Sequence, residues 1–197
     1  MYKLIASAVL LTSYFVIAGA QTPTTSPLKS WLEYKLLATK RVSTMEKEMK
    51  EAASAGYRFL EVANGPTAVL GQEALILMGR ERNGDQKQRF EYKLLATSKT
   101  STMQKELQEA GDAGFEHRGQ SVYIKTFSNE VMVILEREID AKPKLWEYKL
   151  LATSRTSTMQ KEVMEAAEAG YQFVGFCWGA TFFGGGEMIT IMRRPRE

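Results

Sequence analysis

One histidine and one cysteine are the only imidazole and thiol that the chain offers toward nucleophilic chemistry. A thiolate–imidazole pair would require Cys177 and His117 within hydrogen-bond reach. The two lie in different copies of an internal repeat, and nothing at sequence level brings them together. His117 occupies the register filled by Phe59 and Phe173 in the other copies, which predicts an aromatic core or rim position taken by an imidazole. Cys177, between Phe176 and Trp178, reads as a small buried hydrophobe, and a single cysteine permits no internal disulfide. Zinc needs three or four clustered ligands, so no metal site and no cofactor is expected. Carboxylates are more numerous, as in Glu46, Glu48 and Glu51 or Glu162, Glu165 and Glu168. They alternate with Lys47, Lys50 and Lys161 in the way a solvated helix face does. Gly184, Gly185 and Gly186 fall between two predicted strands instead of before a helix, which suits a hairpin tip and not a phosphate loop.

The elements that would position these groups come from a threefold repeat. Residues 33–57 read EYKLLATKRVSTMEKEMKEAASAGY, residues 91–115 EYKLLATSKTSTMQKELQEAGDAGF, and residues 147–171 EYKLLATSRTSTMQKEVMEAAEAGY. The first and second each match the third at 19 of 25 positions. Duplication explains that level of identity; shared secondary structure alone does not. The repeats span residues 31–82, 89–139 and 145–197, joined by polar linkers at 83–88 and 140–144.

Each copy opens on a strand in which alternate residues, Tyr34, Leu36 and Ala38 in the first, share one half-buried face. A helix follows. Ser43, Ser101 and Ser157, each three residues before Glu46, Gln104 or Gln160, predict capping boxes at its start. Met45, Met49, Ala52 and Ala53 mark its buried stripe. Gly56, Gly114 and Gly170 predict a left-handed C′ residue, with Tyr57, Phe115 or Tyr171 folding back on the last turn. Two more strands complete the unit. The last is almost continuously apolar, which suits a central strand covered on both faces, by its own helix and by a neighbouring repeat. The expected fold class is therefore α+β: three tandem β-α-β-β repeats, each a small antiparallel sheet with one helix packed on it. A right-handed crossover gives the strand order first, third, second. A unit of about fifty residues buries little core alone, so the three should pack together.

With these elements in place, each copy resembles a small bacterial domain of unknown function. Its members open on an EYK strand, carry a helix ending in Ala-Gly-aromatic, and close on a strand ending near Arg-Pro. Here those motifs are Glu147-Tyr148-Lys149, Ala169-Gly170-Tyr171 and Arg193-Arg194-Pro195, with related stretches in the other copies. The family more often has Trp after the glycine. The resemblance covers almost all of residues 31–195 and implies a fold but no reaction, so no catalytic residue follows from it.

The N-terminus predicts export. Lys3 precedes an apolar stretch over residues 4–17, and Ala18-Gly19-Ala20 supplies a small-residue cleavage site before Gln21. Residues 1–20 read as a signal peptide and 21–30 as a Pro/Thr/Ser-rich linker, which places the protein in the periplasm or outside the cell. No stable membrane insertion is expected after cleavage. Losing Lys3 takes the net charge from +3 to +2, far from the basic excess that a nucleic-acid binder gathers on one face.

Two function classes follow. The first is an exported non-enzymatic binding or scaffold protein whose partner is a protein or an anionic small molecule or glycan. The second is an enzyme, a hydrolase for example, with an unrecognised carboxylate site. The missing catalytic set and the threefold repetition favour the first. Candidate anion-binding residues cluster at the helix starts: Lys40, Ser43 and Thr44; Lys99, Ser101 and Thr102; Arg155, Ser157 and Thr158. There, free amides and a partial positive charge meet a cation. A candidate partner surface is the aromatic set Phe176, Trp178, Phe182 and Phe183 of the third repeat.

Overall fold

The computed structural model describes residues 32–66, 72–82, 84, 87–124, 129–180 and 186–196. The predicted signal peptide, its linker and the aromatic pair Phe182 and Phe183 lie outside them. The first repeat contains β1 (Leu32–Thr39), α1 (Val42–Ser54), β2 (Arg58–Pro66) and β3 (Gln72–Glu81). The second contains β4 (Phe90–Thr97), α2 (Thr100–Asp112), β5 (Glu116–Ile124) and β6 (Asn129–Glu138). The third contains β7 (Trp146–Thr153), α3 (Thr156–Glu168), β8 (Gln172–Ala180) and β9 (Gly186–Pro195). Each forms its own antiparallel three-stranded sheet, in the orders β1-β3-β2, β4-β6-β5 and β7-β9-β8, so the α+β repeat architecture is as the sequence implies.

The helices end as their sequence dictates. Gly56, Gly114 and Gly170 have φ of 81°, 81° and 84°. The following aromatic N–H reaches back to the carbonyl of Ala52, Ala110 or Ala166 at 2.9 to 3.1 Å, closing a Schellman turn. The helix starts differ from expectation. Arg41, Lys99 and Arg155 occupy the N-caps without any side-chain cap bond, and Ser43, Ser101 and Ser157 sit one position inside the first turn. Thr39, Thr97 and Thr153 are the reason. Their hydroxyls accept the N–H of Arg41, Lys99 and Arg155 at 3.2, 3.1 and 3.2 Å, turning the chain before the serine arrives. The capping box is thus replaced by a threonine turn, and Gln104 is released for another use.

Packing runs from one repeat into the next. The buried face of α1 (Met45, Met49, Ala52, Ala53) meets Leu37, Ile76 and Met78 of its own sheet, and the same core takes in Tyr92, Leu94, Met132 and Ile134 from the second repeat. The second core likewise joins Met103, Leu107 and Ala110 to Tyr148, Ile189 and Ile191 of the third. The third core, Leu151, Met159, Ala166, Met188 and Met192, draws on its own repeat alone. Helices α1 and α2 therefore each lie between two sheets. This explains why Val131 to Leu135 of β6 are all buried, whereas Leu75 and Leu77 of β3 are only half-buried: no described repeat precedes the first. For the same reason the face of β1 predicted to be half-buried, Tyr34, Leu36 and Ala38, is exposed, while its counterpart Tyr92 is buried.

Two of the three C′ glycines separate backbone strain from crowding. A Cβ on Gly170 would meet nothing within 4 Å, so Gly170→Ala should cost only the left-handed penalty, about 1 kcal/mol. A Cβ on Gly114 would lie 2.8 Å from Cβ of Pro143, so Gly114→Ala should cost more. Urea unfolding of the two variants measures the difference, and equal losses would contradict it.

Candidate functional site

Side chains with chemical capacity gather at the two junctions between repeats. At the first, the Tyr92 hydroxyl accepts the Phe59 N–H at 2.8 Å and donates to Glu136 at 2.8 Å. Glu136, nearly buried, also takes the Arg58 guanidinium at 2.7 Å, and Arg58 stacks 4.1 Å from the Phe90 ring centroid. Burial and the Glu136 carboxylate push the Tyr92 phenol far above its ordinary range, so it remains a neutral donor. At the second junction Tyr148 repeats the contact, accepting the His117 N–H at 2.7 Å and donating to the Phe115 carbonyl at 3.0 Å. Burial pushes this phenol up to about 12.

The ion pair at the second junction has the opposite sense. Glu116 takes the place of Arg58 and Arg193 the place of Glu136 in strand register, and the two meet at 2.6 Å. Two glutamines then do what a strand would do. Gln104 accepts the Leu150 N–H at 2.7 Å and donates to the Tyr148 carbonyl at 2.9 Å. One turn later, Gln108 accepts the Tyr148 N–H at 3.1 Å and donates to the Trp146 carbonyl at 3.2 Å. The open edge of β7 is thus closed by amide side chains on α2.

Cys177 and His117 do converge, contrary to expectation, through Gln120. The Gln120 amide nitrogen lies 3.1 Å from Cys177 Sγ, and its Oε1 lies 3.1 Å from His117 Nε2. With Gln120 donating to sulfur, its carbonyl end faces the imidazole, so Nε2 carries the proton. Burial lowers the His117 pKa to about 4 and raises that of the Cys177 thiol. A nucleophilic pair requires the reverse, a depressed thiol beside a protonatable imidazole. This is a neutral hydrogen-bonded chain that fixes the third repeat against the second. Among the described residues, no group of three or more His, Cys, Asp and Glu stands close enough to hold a metal.

The three motifs repeated in every copy also converge on structure. Arg80, Arg137 and Arg194 each pair with the glutamate of the EYK strand: Glu33 at 2.8 Å, Glu91 at 2.6 Å and Glu147 at 2.7 Å. Each donates to the carbonyl of Ala55, Ala113 or Ala169 at a helix C-terminus. Each also lies over the aromatic that follows the glycine. One arginine thus clamps the beginning, middle and end of its own repeat.

The candidate anion sites are placed less favourably. Ser43, Ser101 and Ser157 are exposed, as are Lys40, Lys99 and Arg155; Thr44, Thr102 and Thr158 are half-buried. Lys40 and Ser43 line a groove of about 680 Å³ whose walls also carry Arg41 and Lys93 beside Glu46, Glu106, Glu109 and Glu130. With four carboxylates against three cations, the groove has no net positive charge to draw an anionic ligand. Lys99 borders a small apolar recess against Leu150 and Ile189. Phe176 and Trp178 are exposed on β8. The sequence reading missed Tyr92, Tyr148, Glu136, Gln104, Gln108 and Gln120. Tyr34, Tyr92 and Tyr148 stand at one position in all three copies, and that repetition was the available signal. The chain matches no family model, no curated protein and no solved structure.

His117 gives the junction a pH signature. Its folded pKa, about 4, lies below its ordinary 6.5, so the unfolded chain takes up the proton first. Stability from this group is full above pH 6.5 and falls as pH drops toward 4, by about 3 kcal/mol in total. His117→Phe, which installs the residue of the other two copies, should flatten stability across that window in denaturant titrations. An unchanged acid limb would assign it to other groups.

Proposed function

We propose that this chain is an exported, non-enzymatic binding or scaffold protein built from three copies of a bacterial domain type. The observation that carries this reading is the employment of its reactive side chains. His117, Cys177, Tyr92, Tyr148, Glu136 and Arg193 are all engaged in joining repeats, and their pKa directions, where shifted, keep the tyrosines, the imidazole and the thiol neutral. What is offered outward is apolar surface: Phe173, Phe176 and Trp178 on β8. A protein partner suits such a surface better than an anionic glycan does, since the groove beside Lys40 and Ser43 balances its three cations with four carboxylates and has no positive excess. Export is supported by the n-region, apolar stretch and Ala-Gly-Ala boundary of residues 1–20. Among the described residues, no helix is long and apolar enough to cross a membrane.

Two measurements test this. The intact mass of the protein recovered from the cell envelope or medium should begin at Gln21; a mass retaining residues 1–20 contradicts export with cleavage. Phe176→Ser with Trp178→Ser should abolish retention of partners from envelope extracts while leaving the unfolding transition in place. Undiminished retention would move the binding surface elsewhere.

A further inference from the structure

The outward face of α3 and β8 is open, and its counterparts in the first two repeats are filled. In the first repeat this face receives β4 along α1, and in the second it receives β7 along α2. Both filled faces share two features. The hydroxyl of Tyr92 or Tyr148 on the incoming strand accepts the N–H of Phe59 or His117 at 2.8 or 2.7 Å. A small helix residue, Ala53 or Gly111, is buried beneath that strand. The approach is closest at Gly111, where a Cβ would lie 2.4 Å from the Trp146 carbonyl oxygen and 2.9 Å from the Tyr148 ring. The second face adds a third feature, the Gln104 amide paired with the strand backbone at Tyr148 and Leu150.

The third repeat carries all three receptors and leaves them open. Phe173 stands in the register of Phe59 and His117. Those two are 4% and 6% exposed, whereas Phe173 is 59% exposed, and among the described residues no hydroxyl reaches its N–H. Ala167 holds the place of Ala53 and Gly111, and Gln160 holds that of Gln104; both are exposed. Met164, Phe176 and Trp178 extend the same surface and are exposed as well.

We propose that this face binds an extended, tyrosine-bearing segment of another exported protein, laid along α3 as β7 is laid along α2. This names the kind of partner in the binding reading above and rests on that reading. The tyrosine hydroxyl accepts the Phe173 N–H, its ring lies beside Ala167 as the Tyr148 ring lies beside Gly111, and Gln160 exchanges hydrogen bonds with the segment's backbone. Backbone bonds of this kind supply affinity and the side-chain pocket supplies specificity.

Charge and space select the occupant. Where α1 carries Glu46 and Lys50, α3 carries Gln160 and Met164, and where β2 and β5 carry Arg58 and Glu116, β8 carries Gln172. An incoming segment therefore buries no charge at these positions and needs to bring no counter-charge. A second copy of this chain does not fit. Its undocked first strand, β1, belongs to a repeat with Glu61 where the later repeats have Gly119 and Gly175. A Cβ on those glycines would stand 2.8 Å from Phe59 Cζ and 2.2 Å from Gln120 Oε1, so a glutamate there collides with the preceding repeat. A segment that brings no second strand avoids that collision.

An end-blocked peptide with the sequence of residues 146–153, titrated to millimolar concentration against the isotope-labelled chain, tests this by nuclear magnetic resonance. The Phe173 amide resonance should move saturably, together with those of Gln160 and Ala167. A peptide carrying Tyr148→Phe should bind about fivefold more weakly, because it cannot accept the Phe173 N–H. Ala167→Glu in the chain, at an exposed helix position, should abolish the movement while preserving the unfolding midpoint. No saturable movement at Phe173, equal binding of the Tyr148→Phe peptide, or equal binding by the Ala167→Glu chain overturns the proposal. Movement of the Phe173 resonance on concentrating the chain alone also overturns it, because a second copy then occupies the face. If the peptide fails while Phe176→Ser with Trp178→Ser still loses an envelope partner, the binding reading stands and the extended segment alone is withdrawn.

Discussion

A three-stranded sheet has two faces to cover, and each repeat brings one helix. That imbalance governs the molecule. The helix covers one face of its own sheet, and the other face is buried only by the helix of the preceding repeat. Each of α1 and α2 therefore serves two sheets at once, and the first two cores are each built from two repeats. A unit of this size buries too little apolar surface to stand alone, so the shared helix is what makes the array a folded body. The tyrosine of the EYK strand fixes the arrangement. Its ring enters the preceding core and its hydroxyl ends on a backbone N–H, a bond whose loss would leave a buried donor unpaired.

The copies share the clamp that holds each repeat together and the tyrosine of the EYK strand, and they differ at the positions that surround that tyrosine where repeats touch. The clamp of Arg80, Arg137 and Arg194 is the same three times. By contrast, the junction positions read Arg58, Glu116 and Gln172, then Phe59, His117 and Phe173, then Gly79, Glu136 and Arg193. Reversing the ion pair between the two junctions has a consequence for assembly during folding. Pairing the first repeat directly with the third would set Arg58 against Arg193, two cations at a largely buried contact. Like charges there disfavour the wrong neighbour more than either correct pair favours the right one. Divergence at these positions thus specifies the order of three otherwise similar units.

Much of each repeat was legible because it follows from local rules: period-two strands, a helical stripe at Met45, Met49 and Ala52, and glycines that end helices with positive φ. The central placement of β3, β6 and β9 was legible too, since a strand apolar on both faces must be covered on both. The helix starts were not read correctly. The Ser-x-x-Gln pattern fits a capping box, but Thr97 two residues before the cap competes for the same turn and wins, which moves Gln104 deeper into the helix and across to β7. Nothing local distinguishes a glutamine that caps its own helix from one that closes the edge of the next sheet. The convergence of His117, Gln120 and Cys177 was hidden for the same reason. Register within a sheet can be counted along the chain, but contact between sheets depends on how repeats stack.

That stacking also distributes stability unevenly. The middle repeat has a neighbour on each side, while the third has one: it places Tyr148, Ile189 and Ile191 in the second core and keeps only five buried residues in a core of its own, with Met164 left in solvent. In an array whose stability is a sum of intrinsic and nearest-neighbour terms, a terminal unit with a small private core depends mainly on its single junction. The second junction answers that need with polar contacts that the first lacks: Gln104 and Gln108 on the β7 edge, Gln120 on Cys177, and Arg196 on Asp112. At the first junction the positions of Gln104 and Gln108 are held by Glu46 and Lys50, which pair with each other and leave the adjoining strand to apolar packing. The first repeat can accept that arrangement because its own core, completed by Tyr92, Leu94, Met132 and Ile134, is the larger one. Where apolar burial is scarce, directional hydrogen bonds to an open strand edge take over the task of holding neighbouring repeats in register.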